Sequence, residues 1–167
     1  MLFRSNCGCH IYNNSTDQVY VGFSKESDNW RDAVNSAITG SGQPAILTFN
    51  GKVITAYFAS STGGRTMSTM DAWGGNTAWS QSVDDNWSLN ARNPNARWGV
   101  RLSQSQMAAN LGLTDVATID VVERFNSGAA KTIVAKDSNG GSVTLSGRTF
   151  QARMKLKSTY IVDRKST

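Results

Sequence analysis

Ala45-Ile46-Leu47-Thr48-Phe49-Asn50-Gly51-Lys52-Val53-Ile54-Thr55-Ala56-Tyr57-Phe58-Ala59 reads as a β-hairpin. Asn-Gly between two apolar runs favours a two-residue type I′ turn, because both central positions need positive φ. The second run leads straight into Ser60-Ser61-Thr62-Gly63-Gly64-Arg65-Thr66, so the hairpin hands a polar, tightly turned loop to the surface. A glycine pair permits positive φ and close approach of backbone to a ligand. The flanking hydroxyls supply donors and acceptors with little side-chain entropy to lose. A phosphate loop needs Lys-Ser/Thr after its second glycine, and a serine elbow needs Gly-x-Ser-x-Gly; neither is present. The loop therefore reads as a binding or positioning loop, with a plain solvated turn as the alternative. Ser60, Ser61, Thr62, Gly63, Gly64 and Thr66 are its candidate ligand contacts, beside Trp73 and Trp79.

Upstream of the hairpin, Gln18 to Phe23 alternates as a strand. Ser27 or Asp28 can cap a helix reaching about Ile38, with Trp30, Ala33, Val34, Ala37 and Ile38 on one apolar face. Downstream, the pattern predicts a helix over Gln104 to Leu111. Ser103 and Gln106 form its capping box, Leu102 and Met107 a staple, and Gly112 its end. Strands are expected at 117–125, 131–136 and 142–145, joined by turns at Ser127-Gly128 and Asn139-Gly140-Gly141. Ser146 can cap a short helix carrying Phe150 and Met154, and a last strand is expected over Thr159 to Val162. The order of elements gives an α+β fold with a mostly antiparallel sheet and a few short helices.

Between these parts, residues 60–99 show little periodicity and carry four of the five tryptophans: Trp73, Trp79, Trp87 and Trp98. A long irregular stretch inside a compact domain is usually functional or disordered, and tryptophans argue against disorder. Flat rings among Asn, Ser, Asp and Arg suit the C–H faces of sugars. The competing reading is that the rings pin the segment onto a core. The chain has 167 residues, 39% hydrophobic and 17% charged, which fits one globular domain. No stretch approaches the ~20 apolar residues of a membrane span. The net charge of +5 favours anionic partners. Nucleic acid is not expected, because the strands do not alternate aromatics with Lys or Arg.

Cys7-Gly8-Cys9-His10 is the other chemical cluster. Thiolates and imidazole at this spacing can bind zinc, although a structural site takes four ligands. A disulfide and an inert pair are the other readings. His10 is the only histidine, and no third group is identifiable to make a nucleophilic triad with it. Asp71, Asp84 and Asp85 lie in the tryptophan segment. A glycan-cleaving site needs a carboxyl as general acid, but an Asp in an Asn/Ser-rich loop is more often a turn former.

The hairpin with Ser60 to Thr66, followed by Ala72-Trp73-Gly74-Gly75 and Val83-Asp84-Asp85, resembles the SpoIID/LytB domain family. The resemblance continues through Trp98 before Leu102-Ser103, and through Arg124-Phe125-Asn126-Ser127-Gly128, similar to the family's R-x-x-S-G turn. It ends with Ser146-Gly147-Arg148-Thr149-Phe150 and Leu156-Lys157-Ser158-Thr159. It implies action on bacterial peptidoglycan in an extracellular or wall-facing compartment. Sporulation members are lytic transglycosylases that cleave glycan strands stripped of stem peptides; the other branch stimulates a cell-wall amidase. The family's catalytic glutamate lies in a helix segment that nothing here matches, and the glutamates present are Glu26 and Glu123. The expectation is a carboxy-terminal portion of such a domain with no catalytic residue of its own. Residues 1–6 are a non-native or linker start, 7–164 the domain and 165–167 a tail. The resemblance also implies a structural zinc near Cys7, Cys9 and His10.

Overall fold

The computed structural model describes residues 26–38, 40 and 42–162. The chain is an α+β protein that divides into two compact units, residues 1–54 and 55–167. Cys7, Cys9, His10 and the strand expected at Gln18 to Phe23 lie outside the described residues.

In the first unit, helix α1 spans Asp28–Ser36. Ser27 is its N-cap, its side chain accepting from the Trp30 amide, and Arg31 pairs with Glu26 and Asp28. The expected apolar face forms, but none of the helix's residues is buried. The hairpin is present, with β1 at Thr48–Phe49 and β2 at Lys52–Val53. Asn50 and Gly51 take φ of 50° and 74°, the positive pair that the turn requires. The strands are much shorter than expected. Beyond Val53 the Ile54 amide still donates to the Leu47 carbonyl, but residues 54–59 find no strand partner among the described residues. An apolar run without a partner for its backbone groups stays extended and does not become a strand.

The second unit holds the core. Strands β3 (Thr118–Arg124), β4 (Ala130–Lys136) and β5 (Ser142–Ser146) make an antiparallel sheet with β4 in the centre. Val121 faces Ile133, and Ile133 faces Leu145, so one line of apolar side chains crosses all three strands. Helices α3 (Gln104–Leu111) and α4 (Gly147–Met154) cover that face. Leu111, Ala130, Ile133, Ala135, Phe150 and Met154 form the buried cluster. The capping box of α3 is made as the sequence dictates: Ser103 Oγ accepts from the Gln106 amide, and Gln106 Oε1 accepts from the Ser103 amide. Leu102 and Met107 pack against the core beside it.

The last expected strand, Thr159 to Val162, does not form. This segment joins the sheet through one backbone bond, from the Ala130 amide to the Thr159 carbonyl, at 2.8 Å. Two residues on, the Arg124 guanidinium donates to the Ile161 carbonyl, while its other arm holds the Gly128 carbonyl of the turn. A side chain thus satisfies the backbone that a ladder would otherwise pair.

Gly147 begins α4 against β4. A β-carbon there would lie 1.9 Å from the Ala130 carbonyl oxygen, a backbone atom that cannot swing aside. Gly147→Ala is expected to lower stability by about 3 kcal/mol or more, since overpacking here must move a helix. Urea unfolding measures the loss.

The β4–β5 turn is built on Asp137, whose carboxylate accepts from the amides of Asn139 and Gly141 and the hydroxyl of Thr114. Burial alone would raise this carboxyl, yet these donors together hold it below its ordinary value. A lowered folded value contributes stability that is present above the unfolded value of about 4 and lost as pH falls through the folded one. In thermal melts, Asp137→Asn should be less stable at neutral pH and lose less than the wild type on acidification below about pH 4.

Candidate functional site

The 60–66 loop lies in the second unit and is fastened along its length to residues 82–93. Arg65 and Asp84 form an antiparallel bridge. The Thr66 amide donates to the Val83 carbonyl, the Val83 amide to Thr66 Oγ1, and the Asp85 amide to the Gly64 carbonyl. Side chains add to this ladder. Arg65 reaches Asp84 Oδ1 at 2.7 Å and Ser82 Oγ at 3.0 Å, and Ser82 Oγ donates to the Thr66 carbonyl. Thr62 Oγ1 lies 2.7 Å from Asp85 Oδ2 and 2.9 Å from Ser88 Oγ. Thr62 Oγ1 has one proton to share between Asp85 Oδ2 and Ser88 Oγ, because the Ser88 hydroxyl gives its own to the Asp85 carbonyl at 2.9 Å. Ser88 Oγ also accepts from the Gly64 amide at 2.9 Å. Asn93 closes the far end, donating to the carbonyls of Ser60 and Ser88.

The two glycines have structural partners. Gly63, at φ 72°, lies under the Tyr160 ring, where a β-carbon would come within 3.1 Å of the ring carbons. Gly64, at φ 100°, faces Leu89, whose Cδ1 would stand 2.9 Å from a β-carbon. The Tyr160 hydroxyl then donates to the Arg65 carbonyl at 2.7 Å. Each glycine makes a close approach to one of the protein's own side chains. Thr62, Thr66 and both glycines hold the loop in shape; Ser60 remains exposed, and Ser61 makes one long bond to the Ser88 carbonyl.

The aromatic residues are placed differently. No tryptophan belongs to the buried cluster or packs against it. Trp73 ends α2 (Thr69–Trp73), a short helix capped by Ser68 and stopped by Gly74 in the left-handed region. Its ring meets Tyr57 edge-on, with centroids 5.0 Å apart, and is 56% exposed. The Trp79 indole donates to the Thr55 carbonyl, so both rings flank the extended 55–57 segment. Trp87 sits in a 3-10 helix at Asn86–Leu89 and is 87% exposed. Trp98 is half-buried. Trp73, Trp79 and Trp87 are therefore exposed aromatic residues, Trp87 on the segment to which the polar loop is bonded.

Asp84 and Asp85 are engaged by Arg65 and Thr62, so both carboxylates hold the loop. Asp71 lies in the first turn of α2 and its amide is capped by Ser68. Among the described residues no group of three or more His, Cys, Asp or Glu is placed to hold a metal ion. No helix among them is long and apolar enough to cross a membrane. The first unit contains a groove of about 470 Å³ lined by Trp30, Val34, Ile38, Pro44 and smaller neighbours on or after α1; among the described residues its lining is almost wholly apolar. Sequence reasoning passed over Ser82, Ser88, Asn93 and Tyr160, the residues that shape the loop. Their bonds to the loop reach across 16 to 95 positions, and no local pattern marks them.

Comparison with protein-family models, with curated proteins and with solved structures returns no match.

Ser88 is where the loop and the 82–93 segment converge. Ser88→Ala leaves the Gly64 amide and the Thr62 hydroxyl without this acceptor, and should cost about 1–2 kcal/mol. Denaturant unfolding measures it, and limited proteolysis should cut first within residues 60–93.

Proposed function

We propose that this protein binds glycan strands of bacterial peptidoglycan as a SpoIID/LytB-type domain. The observation that carries the reading is Trp87, 87% exposed on a segment locked to the serine-glycine loop. A large ring left in water while its backbone is held rigid suits a contact surface better than core packing. Trp73 and Tyr57, 56% and 50% exposed, extend the same character. Rigid aromatic anchors give contact area at small entropic cost, and apolar ring faces match pyranose C–H faces. The motifs that resemble the family supply the choice of polymer, and with it a wall-facing location.

Within that family, lytic transglycosylation falls to a glutamate that no residue of this chain matches. The carboxylates beside the loop are committed to Arg65 and Thr62. The chain by itself is therefore a binding module; in a larger protein it would position strands for a transglycosylase, or for a separate amidase that it stimulates. If a structural zinc belongs to the domain, Cys7, Cys9 and His10 are the residues that would hold it, and glycan contact at Trp87 does not depend on it.

Sedimentation with purified peptidoglycan and with amidase-stripped strands tests this reading. The protein should be retained by both without releasing anhydro-sugar products. Trp87→Ala should weaken retention about fivefold or more with an unchanged melting temperature. Absence of retention, or retention indifferent to Trp87, overturns it.

A further inference from the structure

We propose that the paired turns at residues 90–97 select sugar residues bearing a carboxylate, making this edge the specificity determinant of the aromatic surface. The inference rests on the glycan-binding reading above. Between Asn86 and Arg101 the chain carries three arginines and no acidic residue. Asn90-Ala91-Arg92 recurs as Asn95-Ala96-Arg97, and the structure turns at both. The Asn93 amide donates to the Asn90 carbonyl, and the Ala96 amide to the Asn93 carbonyl, giving two consecutive turns. The side chains of Asn90 and Asn93 brace them, accepting from the amides of Arg92 and Asn95 at 2.9 Å. Asn93 also ties this unit to the Ser88 carbonyl, one residue beyond Trp87. Lys157 Nζ reaches Asn95 Oδ1 at 3.5 Å and brings a third cation to the same turns.

Arg92 and Arg97 are exposed, and neither forms an ion pair among the described residues. Arg65, by contrast, is held by Asp84. Two exposed guanidinium groups without acid partners among the described residues, carried on braced turns that are tied to the residue after an exposed indole, match a ligand with an anion and a ring face in one unit. A planar guanidinium pairs a carboxylate through two parallel bonds, and little entropy is lost when the backbone beneath it is already fixed. A pyranose carboxylate supplies both features. A neutral sugar leaves the arginines unused, and a ringless polyanion such as poly(glycerol phosphate) leaves Trp87 unused.

Titration of the full chain by tryptophan fluorescence tests this with three probes of equal length: oligogalacturonate, a chitin oligosaccharide and poly(glycerol phosphate). Oligogalacturonate should bind about tenfold more tightly than the neutral sugar at low salt, and the preference should shrink at about 0.3 M NaCl. The double variant Arg92→Gln/Arg97→Gln should lose that preference, keep its affinity for the chitin oligosaccharide and keep the wild-type melting curve. Trp87→Ala should weaken both sugars. Equal binding of the two sugars by the wild type, or a preference that survives the double variant, overturns the carboxylate selection and leaves glycan binding standing. Binding of poly(glycerol phosphate) as tight as oligogalacturonate overturns it as well, because no ring is then being read. If neither sugar binds and peptidoglycan is not retained, the glycan reading fails and this inference with it.

Discussion

Both backbone groups of Ala130 are committed, and the second unit is organised around them. Its carbonyl lies where a side chain of residue 147 would stand, so α4 begins with a glycine and sits close on the central strand. That closeness lets Phe150 and Met154 reach Ile133 and Ala135 in the buried cluster. Its amide donates to the Thr159 carbonyl, which fixes the chain after α4 beside the end of β4. The next residue, Tyr160, then covers Gly63 and donates to the Arg65 carbonyl. One strand residue thus connects the packing of the core to the shape of the exposed loop. Small residues at 129, 130 and 135 are what permit it, since larger side chains there would push the helix layer outward.

The loop is stiff because it uses its polar groups on itself. Hydroxyls and glycines at a strand end can approach a ligand or approach the protein, and here the second use dominates. Thr62, Arg65 and Thr66 satisfy Asp85, Asp84 and the 81–83 backbone, and the glycines admit Tyr160 and Leu89. Stiffness of this kind is an asset for the neighbouring tryptophans. A ring on a mobile loop loses conformational freedom on binding, whereas one whose backbone is already fixed loses only its side-chain rotamers. On the proposed glycan-binding reading, the polar loop and the exposed rings have separate tasks, and the first makes the second more effective.

Much of the fold was legible wherever its cause was local. The α3 capping box, the Asn50-Gly51 turn and the β3-β4-β5 meander depend on residues within a few positions of one another. They appear close to where the pattern places them. The apolar run at 54–59 and the segment 159–162 looked like strands because apolar composition is not the same as having a partner. The first finds none among the described residues, and the second is held by Arg124. Helix α2 escaped notice because five residues are too few for a helical period to register, although Ser68 and Gly74 bracket it.

The candidate site was legible in its residue types and not in their division of labour. Periodicity cannot separate a threonine facing solvent from one bonded to a carboxylate 23 positions away. Nor can it separate a tryptophan that anchors a segment from one that the segment displays. The distinction is made by long-range closure: Ser88, Asn93 and Tyr160 draw the loop inward, and what they leave outside is Trp87 with the exposed arginines that follow it, which have no ion pair among the described residues. Thr62 and Thr66 are bonded within the protein, so of the loop's hydroxyls only Ser60 and the weakly bonded Ser61 are left to discriminate among ligands. On the proposed reading, discrimination then passes to charge on the neighbouring turns, where Arg92 and Arg97 still have donors to give.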